Sequence, residues 1–182
     1  MTTRRIALLA AAATTAGLAA GLTGLAAPAG ASTPSPSTCD KAPWEAKVQG
    51  RPAGFGAGSP TGDYLWHNKT GFHLRVTHAK KDRRVYTGEI RASAPMRLER
   101  VRREKGDQVI LSHSRRIILF RFSNHGFIDG INFHTDCATS VTVSHLRVAG
   151  HHLATSHVYL GAKKAHPADI PFTVHRMPTP TT

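Results

Sequence analysis

From Tyr64 onward the chain is broken at intervals of about eight to twelve residues by turn-forming residues, and the stretches between them are short, β-branched and aromatic. That rhythm leaves little room for amphipathic helices and predicts an all-β fold, a sandwich or a barrel. Phe72, Leu74 and Val76 alternate with His73, Arg75 and Thr77, which is the period of a strand buried on one face. Tyr64 to Trp66 precedes it across the turn His67-Asn68-Lys69-Thr70-Gly71, and the turn Lys80 to Arg83 leads into Val85 to Arg91. Ile117 to Phe122 is apolar everywhere but at Arg121 and reads as a central strand. Phe127 to Phe133, Val141 to Val148 and Leu153 to Leu160 follow, with Ala149-Gly150 as a hairpin turn, and Phe172 to Val174 behind Pro171 reads as a short edge strand. Met96 to Lys105 has helix-spaced ion pairs, Glu99 with Arg103 and Arg100 with Glu104. Its apolar stripe of Met96, Leu98 and Val101 is thin, so it reads as a strand with a bulge. The expectation is a single-domain, mainly antiparallel β-sandwich, immunoglobulin-like or jelly-roll-like.

The ends of the chain set the compartment. Arg4 and Arg5 lead into the apolar run Ile6 to Leu25, and Ala29-Gly30-Ala31 supplies the small residues of a signal-peptidase site. Residues 1–31 therefore read as a signal peptide, and the mature protein as secreted, extracellular or cell-wall associated. The run is dominated by Ala, Gly and Thr, which argues against a retained anchor and leaves no transmembrane segment in the mature chain. Arg4-Arg5 suits a twin-arginine signal and Ala7 does not, so the export route stays open. Residues 32–43 form a Ser/Thr/Pro linker, 44–176 the sandwich domain and 177–182 a Pro-containing tail. Gly50 to Gly62 reads as a loop packed over one end of the domain. The only two cysteines, Cys39 and Cys137, predict a disulfide in an exported chain. Such a bridge closes a loop of about 100 residues, for which chain entropy gives roughly 4 to 5 kcal/mol as an upper figure.

Charge points to the class of partner. The chain carries 24 Lys and Arg against 11 Asp and Glu, a formal net charge of +13. The basic stretches are Lys80 to Arg84, Arg97 to Lys105, Arg115-Arg116 and Lys163-Lys164. They read either as a solvated rim or as a surface that attracts polyanions in a salt-dependent way. Arg83, Arg84, Arg102, Arg103, Arg115 and Arg116 are the candidates for that attraction. Trp44 and Trp66, with Tyr64, are the candidates for stacking on sugar rings. Aromatic residues are too scattered for a nucleic-acid stacking platform, so no sequence-specific nucleic-acid recognition is expected.

Catalytic and metal motifs are weak. Asp129, Asn132 and Asp136, with Asn124, could offer oxygens to calcium, but they lack the alternating ligands and closing Glu of an EF-hand. Twelve histidines show no zinc spacing, and alternation places His73, His125 and His145 mostly on exposed faces. There is no Gly-x-Ser-x-Gly elbow, and no cofactor is expected.

The segments Gly71 to His78, Tyr86-Thr87-Gly88, Phe120-Arg121-Phe122 and Ile128 to Phe133 resemble a group of secreted bacterial β-rich domains without an assigned activity. The resemblance spans about residues 64 to 174 and implies a fold and no site. The resulting expectation is a monomeric, non-catalytic binding module for an anionic cell-envelope polymer or carbohydrate. The alternatives are a secreted hydrolase whose site is assembled only in three dimensions, or a protein-binding or inhibitory module using the loop Gly50 to Gly62.

Overall fold

The computed structural model describes residues 42–56, 58–78, 84–102, 106–123, 128–156, 159–161 and 168–178. The chain divides into two units, Met1–Ser37 and Thr38–Thr182. The first lies outside the described residues, as do Cys39, Arg83, Arg103 and the side chain of Arg102.

The described strands are β1 (Gly62–Asn68), β2 (Gly71–Thr77), β3 (Val85–Ala92), β4 (Arg97–Arg102), β5 (Gln108–Leu111), β6 (Ile117–Ser123), β7 (Ile128–His134), β8 (Ser140–Val148), β9 (His151–His152), β10 (Thr155–Ser156), β11 (Tyr159–Leu160), β12 (Ala168–Asp169) and β13 (Phe172–His175). A short 3₁₀ turn covers Ala46–Val48. One sheet has the order β11-β1-β2-β7-β4, and the other β13-β8-β3-β6-β5 with β9 added to β8. Pairing is antiparallel throughout both sheets except between β1 and β11. β10 and β12 form a separate pair. The architecture is the β-sandwich that the alternation predicts.

Alternation decides which side chains meet between the sheets. On the five-stranded sheet, Leu65, Leu74 and Ile131 lie in one register row, and His67, Phe72 and Phe133 in the next. On the six-stranded sheet, Ile118, Ile90 and Val143 lie side by side. These apolar residues join Phe120, Phe122, Val141 and Val174 in one buried cluster, and full burial of each large side chain is worth roughly 1.5 to 3 kcal/mol. Phe72 and Phe133 stack at 5.1 Å between ring centroids.

Two bulges re-phase strands. The register of β4 against β7 shifts between Leu98 and Arg100, so the strand-with-bulge reading of this segment holds. In β8, Thr87 pairs with Arg147 while Glu89 pairs with Ser144, leaving one extra residue in β8. His145 sits there with φ +53°. The insertion keeps Val141 and Val143 inward, turns Leu146 and Val148 inward as well, and sends Arg147 out.

β6 lies between β3 and β5, an interior strand as its apolar run predicts, and its outward side faces solvent, with Leu119 47% exposed. Two expectations need correction. Leu153 to Leu160 is not one strand, because β10 and β11 join different sheets. The loop from Gly50 lies over the outer face of the five-stranded sheet instead of capping an end: Phe55 is 4.8 Å from the Tyr64 ring and 5.1 Å from the Trp66 ring. β5 was not anticipated, since Gln108–Leu111 is only four residues long.

Candidate binding face

The outer face of the six-stranded sheet is open and its register is regular. One row reads Gln108, Arg121, Thr87, Arg147 and His152 across β5, β6, β3, β8 and β9. The next reads Ile110, Leu119, Glu89 and Ser144. A third reads Ile117, Arg91, Thr142 and Thr173. Neighbouring strands lie about 4.8 Å apart, which sets Arg121 and Arg147 on either side of Thr87 with backbones about 10 Å apart. Arg91, Arg121 and Arg147 are exposed, and Ile110 and Leu119 are 57% and 47% exposed. Glu89 is the only carboxylate in these three rows. Arg91 holds it through Nη2 at 2.9 Å and Nε at 3.2 Å.

Local bonds orient the other two cations. Arg147 Nη2 donates to His152 Nε2 at 2.6 Å, and a guanidinium can only donate, so His152 presents the Nε2 lone pair. Arg121 Nη1 donates to the Gly106 carbonyl at 3.0 Å. Arg115 and Arg116 are exposed at the β5–β6 hairpin beside one end of this face, and Arg84 is exposed just before β3. Arg115 is anchored by Nε to the Met96 carbonyl at 3.1 Å. Of the residues expected to bind, these three border the face. Arg83 and Arg103 lie outside the described residues, and Arg102 belongs to the other sheet, opposite Gly130.

The expected stacking residues are elsewhere. Trp44 is 2% exposed, packs edge-on against Phe72 at 4.7 Å and has the Arg176 guanidinium 4.8 Å from its ring centre. Trp66 is 5% exposed, stacked on His73 at 5.2 Å and covered by Phe55 and Arg75. Tyr64 is buried and donates to the Pro60 carbonyl at 2.9 Å. None offers an open ring face. His73, expected at the surface, is buried, and its Nδ1 lies 2.9 Å from Asn132 Oδ1.

The calcium candidates do not converge. Asp129 pairs inward with His78, while Asn132 points outward to His73 and Arg75, as residues three apart on a strand must. Asp136 is exposed in the following loop. Among the described residues, no group of three or more His, Cys, Asp or Glu could hold a metal ion. Cys137 is not a free thiol. No helix among the described residues is long and apolar enough to cross a membrane.

Sequence reasoning missed two polar features. His78 Nε2 lies 2.8 Å from Asp129 Oδ2, with side chains 0% and 1% exposed, and the His78 ring meets Tyr86 of the opposite sheet edge-on at 4.2 Å. A dyad so enclosed presents no group to a substrate; it ties the sheets together. Arg176 is the second. Its Nε donates to Ala138 O at 2.7 Å, Nη1 to Ala42 O at 2.7 Å, and Nη2 to Thr135 O and Asp136 O at 3.2 and 2.8 Å. Nothing local signals either feature, because their partners are far away in sequence.

The Arg176 end also contains a pH-sensitive group. Burial, then the charge of Arg176 and the neighbouring His73 and His134, push His67 down to about 4 from its ordinary 6.5. Between those values the unfolded chain takes up a proton that the fold refuses. Stability present above pH 6.5 is therefore lost as the pH falls towards 4. Melting temperatures across that window are expected to fall less steeply in His67→Gln than in the parent, and equal slopes would assign the loss to other groups.

The chain matches no family model, no curated protein and no solved structure.

Proposed function

We propose that this protein is a secreted, non-catalytic binding module that holds an anionic polymer or carbohydrate of the cell envelope on the outer face of its six-stranded sheet. The observation that carries this reading is the set of exposed arginines, Arg91, Arg121 and Arg147, in three strand rows whose one carboxylate, Glu89, is already engaged by Arg91. The mature chain, without Arg4 and Arg5 of the signal peptide, keeps a net charge of +11, which supplies long-range attraction that salt screens. At contact, guanidinium forks grip carboxylate or phosphate oxygens in pairs. Arg84, Arg115 and Arg116 widen the positive field at the ends of the face.

The Cys39–Cys137 bridge is part of the proposal. One guanidinium, that of Arg176, binds the carbonyls of both Ala42 and Asp136, three residues from Cys39 and one from Cys137. The bridge then fastens the N-terminal arm to the β7–β8 connection.

Replacing Arg91, Arg121 and Arg147 together by Ala is expected to weaken binding to soluble polyanions about thirtyfold. This follows from roughly 0.5 to 1 kcal/mol per exposed ion contact. The dependence of affinity on salt should flatten while the melting temperature stays unchanged. Titration at low and high salt measures this, and undiminished binding by the triple variant would remove the face from consideration.

A further inference from the structure

Resting on that reading, we infer that the ligand of this face is an acidic polysaccharide, sugar rings bearing carboxylates, and not a bare phosphodiester chain. The row of Ile110 and Leu119 lies two residues along the strands from the row of Arg121 and Arg147, about 7 Å away. A polymer of phosphates would use the cations and gain nothing from two half-exposed aliphatic side chains. A sugar ring has both an apolar C–H face to lay on Ile110 and Leu119 and a charged substituent to place against the arginines. Gln108, Thr87 and Ser144 stand in the same two rows, with Thr142 in the adjacent one, and offer neutral hydrogen-bonding groups that suit ring hydroxyls.

The same arrangement disfavours two other occupants. Leu119 shares its strand face with Arg121 and lies in register with Glu89, so it cannot enter a hydrocarbon layer without drawing charged neighbours in with it. A second copy of the chain would bring a second set of the same arginines against the first, and the like charges repel. An anionic partner complements the face.

The test uses the full mature chain and compares the parent, the double variant Ile110→Ser/Leu119→Ser and the arginine triple variant. The probes are polygalacturonate, polyphosphate, neutral dextran and phosphatidylglycerol vesicles. The double variant is expected to bind polygalacturonate about tenfold more weakly and polyphosphate as the parent does, with an unchanged melting temperature. Equal losses on both polyanions, or no loss on polygalacturonate, would overturn the inference. Tighter binding to vesicles than to polygalacturonate, abolished in the double variant, would overturn it in favour of a bilayer. If the arginine variant still binds polygalacturonate fully, the proposed function itself fails, which separates that result from failure of the inference alone.

Discussion

Arg176→Met is expected to destabilise the fold by roughly 3 kcal/mol and to lower the melting temperature by about 10 °C. The side chain donates to four backbone carbonyls from two separate segments, Ala42 of the N-terminal arm and Thr135, Asp136 and Ala138 of the β7–β8 connection. It also lies over the Trp44 ring at 4.8 Å, a contact of the kind worth about 0.5 to 2 kcal/mol. Met keeps much of the stem's packing but leaves those carbonyls short of donors. The arm is otherwise held by backbone bonds from Glu45 N to His175 O at 3.0 Å and from Met177 N to Pro43 O at 2.8 Å. Lys will not rescue the loss, because a single ammonium cannot span carbonyls arranged around a planar fork. Denaturant unfolding followed by tryptophan fluorescence reads both effects, since a loosened arm exposes Trp44. A loss below about 1 kcal/mol would show that solvent replaces the guanidinium at little cost.

Gly88→Val is expected to cost about 3 kcal/mol by overpacking. A Cβ at this inward position of β3 would stand 2.4 Å from Phe120 Cζ and 2.6 Å from Leu146 Cδ2. Phe120 and Leu146 are themselves 3% exposed and surrounded by core, so neither has open space to move into. Thr87→Val, one residue away on the outward side, is the control and should change stability by no more than about 0.5 kcal/mol. Urea unfolding of the two variants side by side gives the comparison. Similar midpoints would mean that the sheets can part locally to accept the extra methyls.

The sandwich was legible in the sequence because its signal is local. Phe72, Leu74 and Val76 alternate with polar partners, Ile117 to Phe122 is a nearly continuous apolar run, and β5 escapes notice because it has only four residues. The candidate face was barely legible: Arg121 shows only as the polar exception in an apolar run and Arg91 only as the end of a strand. Arg147 was hidden altogether, because strict alternation from Val141 would have turned it inward, and only the extra residue at His145 reverses the phase. The tryptophans misled for a different reason. Composition cannot tell an aromatic ring that meets solvent from one covered by a distant loop, and Phe55 and Arg176 do the covering. The His78–Asp129 dyad was invisible because its members lie 51 positions apart.

The pairing order of the strands also governs how the chain must assemble. β1 has β11 on its outer side, with Tyr64 opposite Tyr159, and β3 pairs with β8, which in turn takes β13 through Val141 and Val174. Neither main sheet is complete until its last strand arrives, and for the six-stranded sheet that strand is Phe172–His175. An emerging N-terminal portion therefore has no closed hydrophobic layer to settle into, and consolidation waits for release of the C-terminus. Contacts of such long sequence separation place folding on the order of milliseconds to seconds, with unpaired strand edges exposed throughout. Truncation before Phe172 would strip the edge from a waiting sheet and leave a collapsed, association-prone chain.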